Sequence, residues 1–200
     1  NHHYDICIIG AGAGGLSVAA GACQFGIKVA LIEGHRMGGD CLNYGCVPSK
    51  ALLSSAKHYY AITESVKFGF HASVKPVIIS EIMESVRQVV ANIAPHDSVE
   101  RFTGLGATVY QGYASFIDNK SVKVNDDIIT AKYFVIATGS SPVIPPIPGL
   151  DKVSYLTNET IFNLTETPEH LLVIGGGPIG CELAQAFLML GIKVTLLNLG

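Results

Sequence analysis

Apolar side chains fill positions 4–9 almost without a break, stop at a cluster of glycines, give way to small residues through 16–25, and return at 28–32 before Glu33. A short unbroken apolar run suits a strand covered on both faces, and a longer small-residue stretch behind glycines suits a helix packed close to it. The opening therefore predicts strand, turn, helix, strand. Further on, 51–68 carries apolar residues at helical spacing, and 78–93 predicts a second helix with Ile82, Val86, Val89, Val90 and Ile93 on one face, ended by Pro95. Short alternating runs at 107–116, 121–124 and 128–130, separated by Asp and Asn, predict a small antiparallel meander. An apolar strand over 132–140 then stops at Thr138-Gly139-Ser140, and Pro142, Pro145, Pro146, Pro148 and Gly149 make a stiff link. Beyond it come a strand at 171–174, a helix at 181–190 and a last apolar run reaching Asn198.

The first glycine cluster is Gly10-Ala11-Gly12-Ala13-Gly14-Gly15. Between a strand and a helix, Gly10 permits the tight turn, Gly12 lets backbone approach a pyrophosphate, and Gly15 lets the helix pack against the sheet. The helix N-terminus offers N–H groups and positive potential to phosphates, and Glu33 stands where a carboxylate can take a ribose hydroxyl. Cys7 and Cys23 fall on the strand and helix and read as packing residues.

The pattern occurs twice. A shift of 165 positions lays Gly10 on Gly175, Gly12 on Gly177, Gly15 on Gly180, the Gly-Ile-Lys-Val at 26–29 on that at 191–194, and Glu33 on Asn198. Two dinucleotide turns in one chain suggest passage of electrons between two bound nucleotides.

Between them lies Gly38-Gly39-Asp40-Cys41-Leu42-Asn43-Tyr44-Gly45-Cys46-Val47-Pro48-Ser49-Lys50. In a regular helix, residues five apart are separated by roughly 7.5 Å of rise, more than a disulfide accepts, so a Cys41–Cys46 bridge needs distorted backbone. Gly45 and Pro48 suit a distorted helix start, where the dipole would favour a thiolate. The same spacing also admits two reduced packing cysteines. Metal ligation is the third reading, but no further Cys or His pair stands nearby to complete a four-ligand site, and no metal is expected.

The whole composition narrows the classes. Apolar residues make up 48% of 200, charged residues 14%, and there are 22 glycines, as in parallel α/β proteins. A net charge of −3 argues against a nucleic-acid or anionic-membrane surface. Five cysteines, an odd number, suggest a reducing, cytoplasmic setting with at most one working pair. Residues 6–22 lack the basic flank of a signal peptide, and no apolar run is long enough to span a bilayer. His58, His71 and His96 read as solvated or capping residues.

With both turns and the cysteine segment in view, the chain resembles the N-terminal part of the pyridine nucleotide-disulfide oxidoreductases. This is the flavoprotein class of dihydrolipoamide dehydrogenase, glutathione reductase and mercuric reductase. The resemblance implies an α/β fold: a Rossmann-like FAD-binding domain of three-layer β-β-α type with a small meander, over 1–145, and the start of a second, NAD(P)-binding Rossmann-like domain over 146–200. It implies that the first turn (Gly10, Gly12, Gly14, Gly15, Glu33), together with Gly39, Asp40, Cys46, Lys50, Gly112, Ala114, Ala137, Thr138 and Gly139, serves FAD. The second (Gly175, Gly177, Ile179, Gly180, Asn198) would serve NADH or NADPH. Cys46 would be the flavin-side thiolate and Cys41 the thiol that meets substrate, with Lys50 near the flavin and paired to Glu182. The substrate would be a small disulfide or dithiol, or mercuric ion, and the full-length protein a homodimer.

Some positions depart from the family pattern. Asn198 replaces the acid of an NADH site without being an arginine, which leaves a slight preference for NADH. Asp40 stands where many relatives have threonine, and a carboxylate there should disfavour the Cys41 thiolate. The family's further domains follow beyond position 200, so the 200 residues are expected to be a fragment that cannot turn over alone. Two rival classes remain at this stage: a nucleotide-binding redox sensor without turnover, and an FAD oxidoreductase without disulfide chemistry.

Overall fold

A computed structural model describes residues 2–198. In chain order its elements are β1 (His2–Ile9), α1 (Ala13–Gln24), β2 (Val29–Glu33), α2 (Gly39–Asn43), α3 (Cys46–Glu64), α4 (Ile79–Ile93), α5 (Val99–Gly104), β3 (Thr108–Gln111), β4 (Ala114–Asp118), β5 (Ser121–Val124), β6 (Asp127–Ile136), β7 (His170–Ile174), α6 (Pro178–Met189) and β8 (Lys193–Leu197). The chain divides into two compact units, Asn1–Asn43 with Ala91–Pro145 and Tyr44–Val90 with Pro146–Gly200.

The first unit is built on a six-stranded sheet in the order β3-β2-β1-β6-β5-β4. Strands β3, β2, β1 and β6 run parallel, while β5 and β4 add antiparallel. Successive side chains on a strand face opposite ways, and the sequence uses both faces. Ile8 and Leu31 pack with Leu16, Ala19 and Ala22 of α1 and Phe102 of α5. Their neighbours Cys7, Ala30 and Ile32 pack on Val122, Val124 and Ile129 of the meander. Helices, parallel sheet and meander thus form three layers, which is why β1 and β2 read as continuous apolar runs.

Two details differ from the sequence expectation. Positions 128–130 and 132–136 belong to one ten-residue strand, β6, joined through buried Ala131, and residues 137–140 lie beyond its end. Its first residues pair antiparallel with β5, and from Ile129 onward it pairs parallel with β1. The run 107–116 is broken at Gly112, so β3 and β4, consecutive in the chain, lie at opposite ends of the strand order.

In the second unit β7 and β8 pair in parallel, from His170↔Lys193 to Ile174↔Leu197, with α6 crossing between them. Its core gathers Leu52 and Ala56 of α3, Ile79, Met83 and Val86 of α4, and Ala186, Phe187, Leu190 and Ile192 around α6. The buried stripe of α4 is therefore Ile79, Met83 and Val86, with Val89 and Ile93 exposed. Residues 79, 83 and 86 have the i, i+4, i+7 spacing of a single helix face, slightly rotated from the stripe expected. Helix α3 starts at Cys46, five residues before the expected position, because Pro48 is tolerated in a first turn whose amide needs no partner. Among the described residues no helix is long and apolar enough to cross a membrane.

Candidate functional site

The first turn is shaped by close backbone approach. Gly10 has φ +104°, and a Cβ there would sit 2.1 Å from the Ala137 carbonyl oxygen. The Ala137 amide donates to the Ile9 carbonyl at 2.8 Å, so Ala137, Thr138 and Gly139 leave β6 alongside the turn. A Cβ on Gly15 would lie 1.9 Å from the Gly10 carbonyl oxygen, which lets α1 start tight against β1. Gly39 approaches just as closely: its Cβ would fall 2.6 Å from Gly12 Cα, while the Gly38 amide donates to the Ala11 carbonyl at 2.9 Å. Asp40 is exposed in the first turn of α2, and Cys41, one residue on, is half-buried.

Glu33 closes this cradle. Its Oε2 accepts from the Ala11 amide at 2.6 Å and its Oε1 from the His35 amide at 2.7 Å. Its carbonyl accepts from the Gly112 amide at 2.8 Å, which brings Gly112 to the end of β2, two residues before half-buried Ala114 opens β4. Gly12 caps α1 with no side-chain hydrogen bond, and no acidic residue stands in the first turn, so its N-terminal amides keep their positive potential for an anion. Open space outside Gly14 and a carboxylate with lone pairs to spare complete a surface that fits a dinucleotide.

The second turn repeats the bonding. The Gly175 amide donates to the Leu197 carbonyl at 2.8 Å, as the Gly10 amide does to that of Ile32 at 2.8 Å. A Cβ on Gly180 would lie 2.0 Å from the Gly175 carbonyl oxygen. Gly177 caps α6 without a side-chain bond, Pro178 occupies the first turn, and Ile179 beside it is 62% exposed. Asn198 Oδ1 accepts from the Gly176 amide at 3.1 Å, the place Glu33 holds in the first turn.

Also in the second unit, a cavity of about 150 Å³ is lined by Cys46, Ser49, Lys50, Asn158, Ile179 and Glu182 among others. Cys46 is exposed at the first position of α3, and Lys50 follows one turn later on the same face. Lys50 Nζ lies 2.6 Å from Glu182 Oε1. The buried Ser49 hydroxyl lies 3.3 Å from the same carboxylate oxygen and 3.4 Å from the Cys46 carbonyl. Ser49 and Asn158 escaped the sequence reading. Ser49 stands in the cysteine segment with nothing in the sequence to link it to Glu182, and nothing in the sequence connects Asn158 to position 46. Ser49→Ala is expected to lower stability by about 1–2 kcal/mol, as loss of a long, part-buried hydroxyl hydrogen bond to a carboxylate does, measured by urea unfolding.

The remaining cysteines behave as packing suggests. Cys7 is buried, and desolvation pushes its thiol from 9.0 to about 12. Burial also raises Cys23. The stability gained from a neutral Cys7 is complete below about pH 9.0 and is lost as pH rises towards about 12. Iodoacetamide near neutral pH is expected to modify exposed Cys46 (when reduced) and Cys181 in the native protein and to spare Cys7, as read by peptide mass spectrometry. Among the described residues no group of three or more His, Cys, Asp or Glu could hold a metal ion.

Two parallel-stranded units, each with a glycine turn at an uncapped helix start, define an α/β protein of the dinucleotide-binding class. The chain belongs to the pyridine nucleotide-disulphide oxidoreductase family, whose model matches residues 4–200. A mercuric reductase of Staphylococcus aureus is 39% identical over 195 residues, covering 98% of this chain and 36% of its own length. A dihydrolipoyl dehydrogenase of Acholeplasma laidlawii is 36% identical over 205 residues, covering 98% and 60%. Among solved structures, the HOCl-induced flavoprotein disulfide reductase RclA from Escherichia coli is 32% identical with a TM-score of 0.82, over 98% of this chain and 42% of that one. The chain thus spans less than two thirds of the length of each.

Proposed function

We propose that the protein to which these residues belong is an FAD-dependent oxidoreductase. In this reading two electrons pass from NADH or NADPH to a Cys41–Cys46 disulfide, and from there to a small disulfide substrate or to mercuric ion; a dithiol substrate would send the two electrons the opposite way, to NAD+ or NADP+. The observation that carries the reading is the repeated cradle, with the same hydrogen bonds at Gly10 and Gly175 and the cysteine segment between the two copies in sequence. The relatives' names support the substrate range: mercuric reductase, dihydrolipoyl dehydrogenase, flavoprotein disulfide reductase. The 200 residues alone are not expected to turn over.

Bound FAD would supply a two-electron relay between a nicotinamide and a disulfide. Gly10, Gly12, Gly14 and Gly15 would hold its pyrophosphate through backbone and Glu33 its ribose, with Gly39, Asp40, Gly112, Ala114, Ala137, Thr138 and Gly139 alongside. Gly175, Gly177, Ile179 and Gly180 would hold the nicotinamide dinucleotide. Two electrons and two protons convert the Cys41–Cys46 bridge into two thiols. In this reading Cys46, at the first position of α3 with Lys50 one turn away, takes the flavin-side place. Glu182 fixes the Lys50 ammonium at the cavity. Cys41 then attacks a substrate disulfide and expels one thiol. Cys46 attacks the mixed disulfide, expels the second thiol and restores the bridge.

The test is anaerobic addition of NADH to the FAD-loaded protein, followed by denaturing quench and thiol titration. Two additional thiols per chain are expected. Thiols that do not increase would overturn the disulfide role, and failure to retain FAD would overturn the flavin role.

A further inference from the structure

We propose that Asn125, at the tip of the β5–β6 hairpin, is a positioning residue for the adenosine half of FAD, and that it acts by holding the Gln111–Gly112 peptide at the Glu33 end of the first turn. The proposal rests on the reading of that turn as the flavin dinucleotide site. Among the described residues Asn125 is the one non-glycine residue with positive φ, +52°. It is the first central residue of a two-residue connection, since Val124 pairs with Asp127. Where such a connection has a positive φ at its first position, glycine is the default. The chain places a side chain there instead, and that side chain is engaged.

Asn125 Nδ2 donates to the Gln111 carbonyl at 2.9 Å. A Cβ on Gly112, whose φ is +151°, would meet Asn125 Nδ2 and Oδ1 at 2.9 Å, so the hairpin tip closes on the end of β3. No strand pairing joins β3 to β5 or β6, and this bond spans the layers. The Gly112 amide in turn donates to the Glu33 carbonyl at 2.8 Å. The ring of Tyr113 packs on Gly34, where a Cβ would meet Cδ1 and Cε1 at 2.8 Å. Segment 111–113 is thus fixed both by the chain around Glu33 and by the hairpin tip. With Glu33 on the adenosine ribose, the base joined to that ribose would fall beside this segment. Hydrogen bonds to a base edge are sensitive to distance and angle, so they need backbone that is already held. Without the Asn125 amide the turn can persist, but the Gln111–Gly112 peptide gains freedom that binding must then remove, at a cost in affinity.

Asn125→Gly separates a positioning role from a turn role. Glycine is at home at positive φ, so a residue that serves only the turn is replaced without loss, while the bond to Gln111 disappears. Three quantities are measured on protein freed of FAD: the dissociation constant of added FAD, competition against FAD by ADP, which carries adenosine and pyrophosphate without the flavin, and the melting temperature. FAD is expected to bind about five- to tenfold more weakly to the variant, ADP to lose a similar factor, and the melting temperature to shift by less than about 3 °C. Unchanged FAD affinity overturns the proposal. So does a loss of FAD affinity that ADP does not share, or ADP that fails to compete in the unaltered protein. A fall in melting temperature beyond that range also overturns it, because Asn125 is then a turn residue. If the unaltered protein takes up no FAD, the flavin reading of the first turn falls too, a result distinct from uptake that Asn125→Gly leaves unchanged.

Discussion

Cys46→Ser is expected to reduce substrate disulfide or mercuric-ion reduction by on the order of a thousandfold or more, the scale at which loss of one member of a concerted catalytic set is felt. Serine has nearly the same volume but cannot form the sulfur bond. Cys46 is exposed at the first position of α3, so the exchange leaves the core around Leu52 and Ala56 intact. FAD content and melting temperature should match those of the unaltered protein, and the NADH-dependent gain of two thiols should vanish. Retained substrate reduction would remove the disulfide from the mechanism and leave an FAD oxidoreductase of another kind.

Gly10→Val carries the largest expected structural effect. A β-branched residue at φ +104° is strained, and its Cβ would overlap the Ala137 carbonyl oxygen, 2.1 Å away. Either β6 must move away from β1 or the turn must open, and both dismantle the cradle. A loss of more than about 3 kcal/mol is expected, with no FAD retained on purification. Gly21→Ala is the matched control. Gly21 lies in α1 with nothing within 4 Å of an added Cβ, and alanine there is expected to add about 0.5–1 kcal/mol. Equal FAD content in the two variants would show that the Gly10 approach does not hold the site.

The legible parts of the sequence were those governed by local backbone chemistry. The runs at 4–9 and 28–32, the glycines between them and their repeat 165 positions later correspond to β1, β2, β7, α6 and β8. Other features depended on long-range pairing, which periodicity does not encode. The runs 128–130 and 132–140 read as separate strands, yet β1 pairs with residues from Ile129 to Ile136 and makes that stretch one strand. The stripe of α4 was misjudged by a fraction of a turn, because Val89 and Ile93 are apolar yet exposed while Met83 is fully buried. Ser49 acquires its place from Glu182, 133 positions away. The composition of the Asn198 position was visible from the start, but which end of its amide faces the turn depends on Gly176 N–H and emerges only in three dimensions.

Strand β6 sits between β1 and β5, and its register with β1 begins where His2 meets Ile129. During synthesis β1, ending at Ile9, is made well before β6, which starts at Asp127, so at about 5–20 residues per second its second neighbour arrives on the order of ten seconds later. Throughout that interval β1 presents an open hydrogen-bonding edge flanked by apolar side chains, the kind of surface that captures other nascent chains. The state of this unit in which β1 and β2 are paired and β6 is not is therefore the one in which edge-to-edge association is expected, and pairing with β6 ends it.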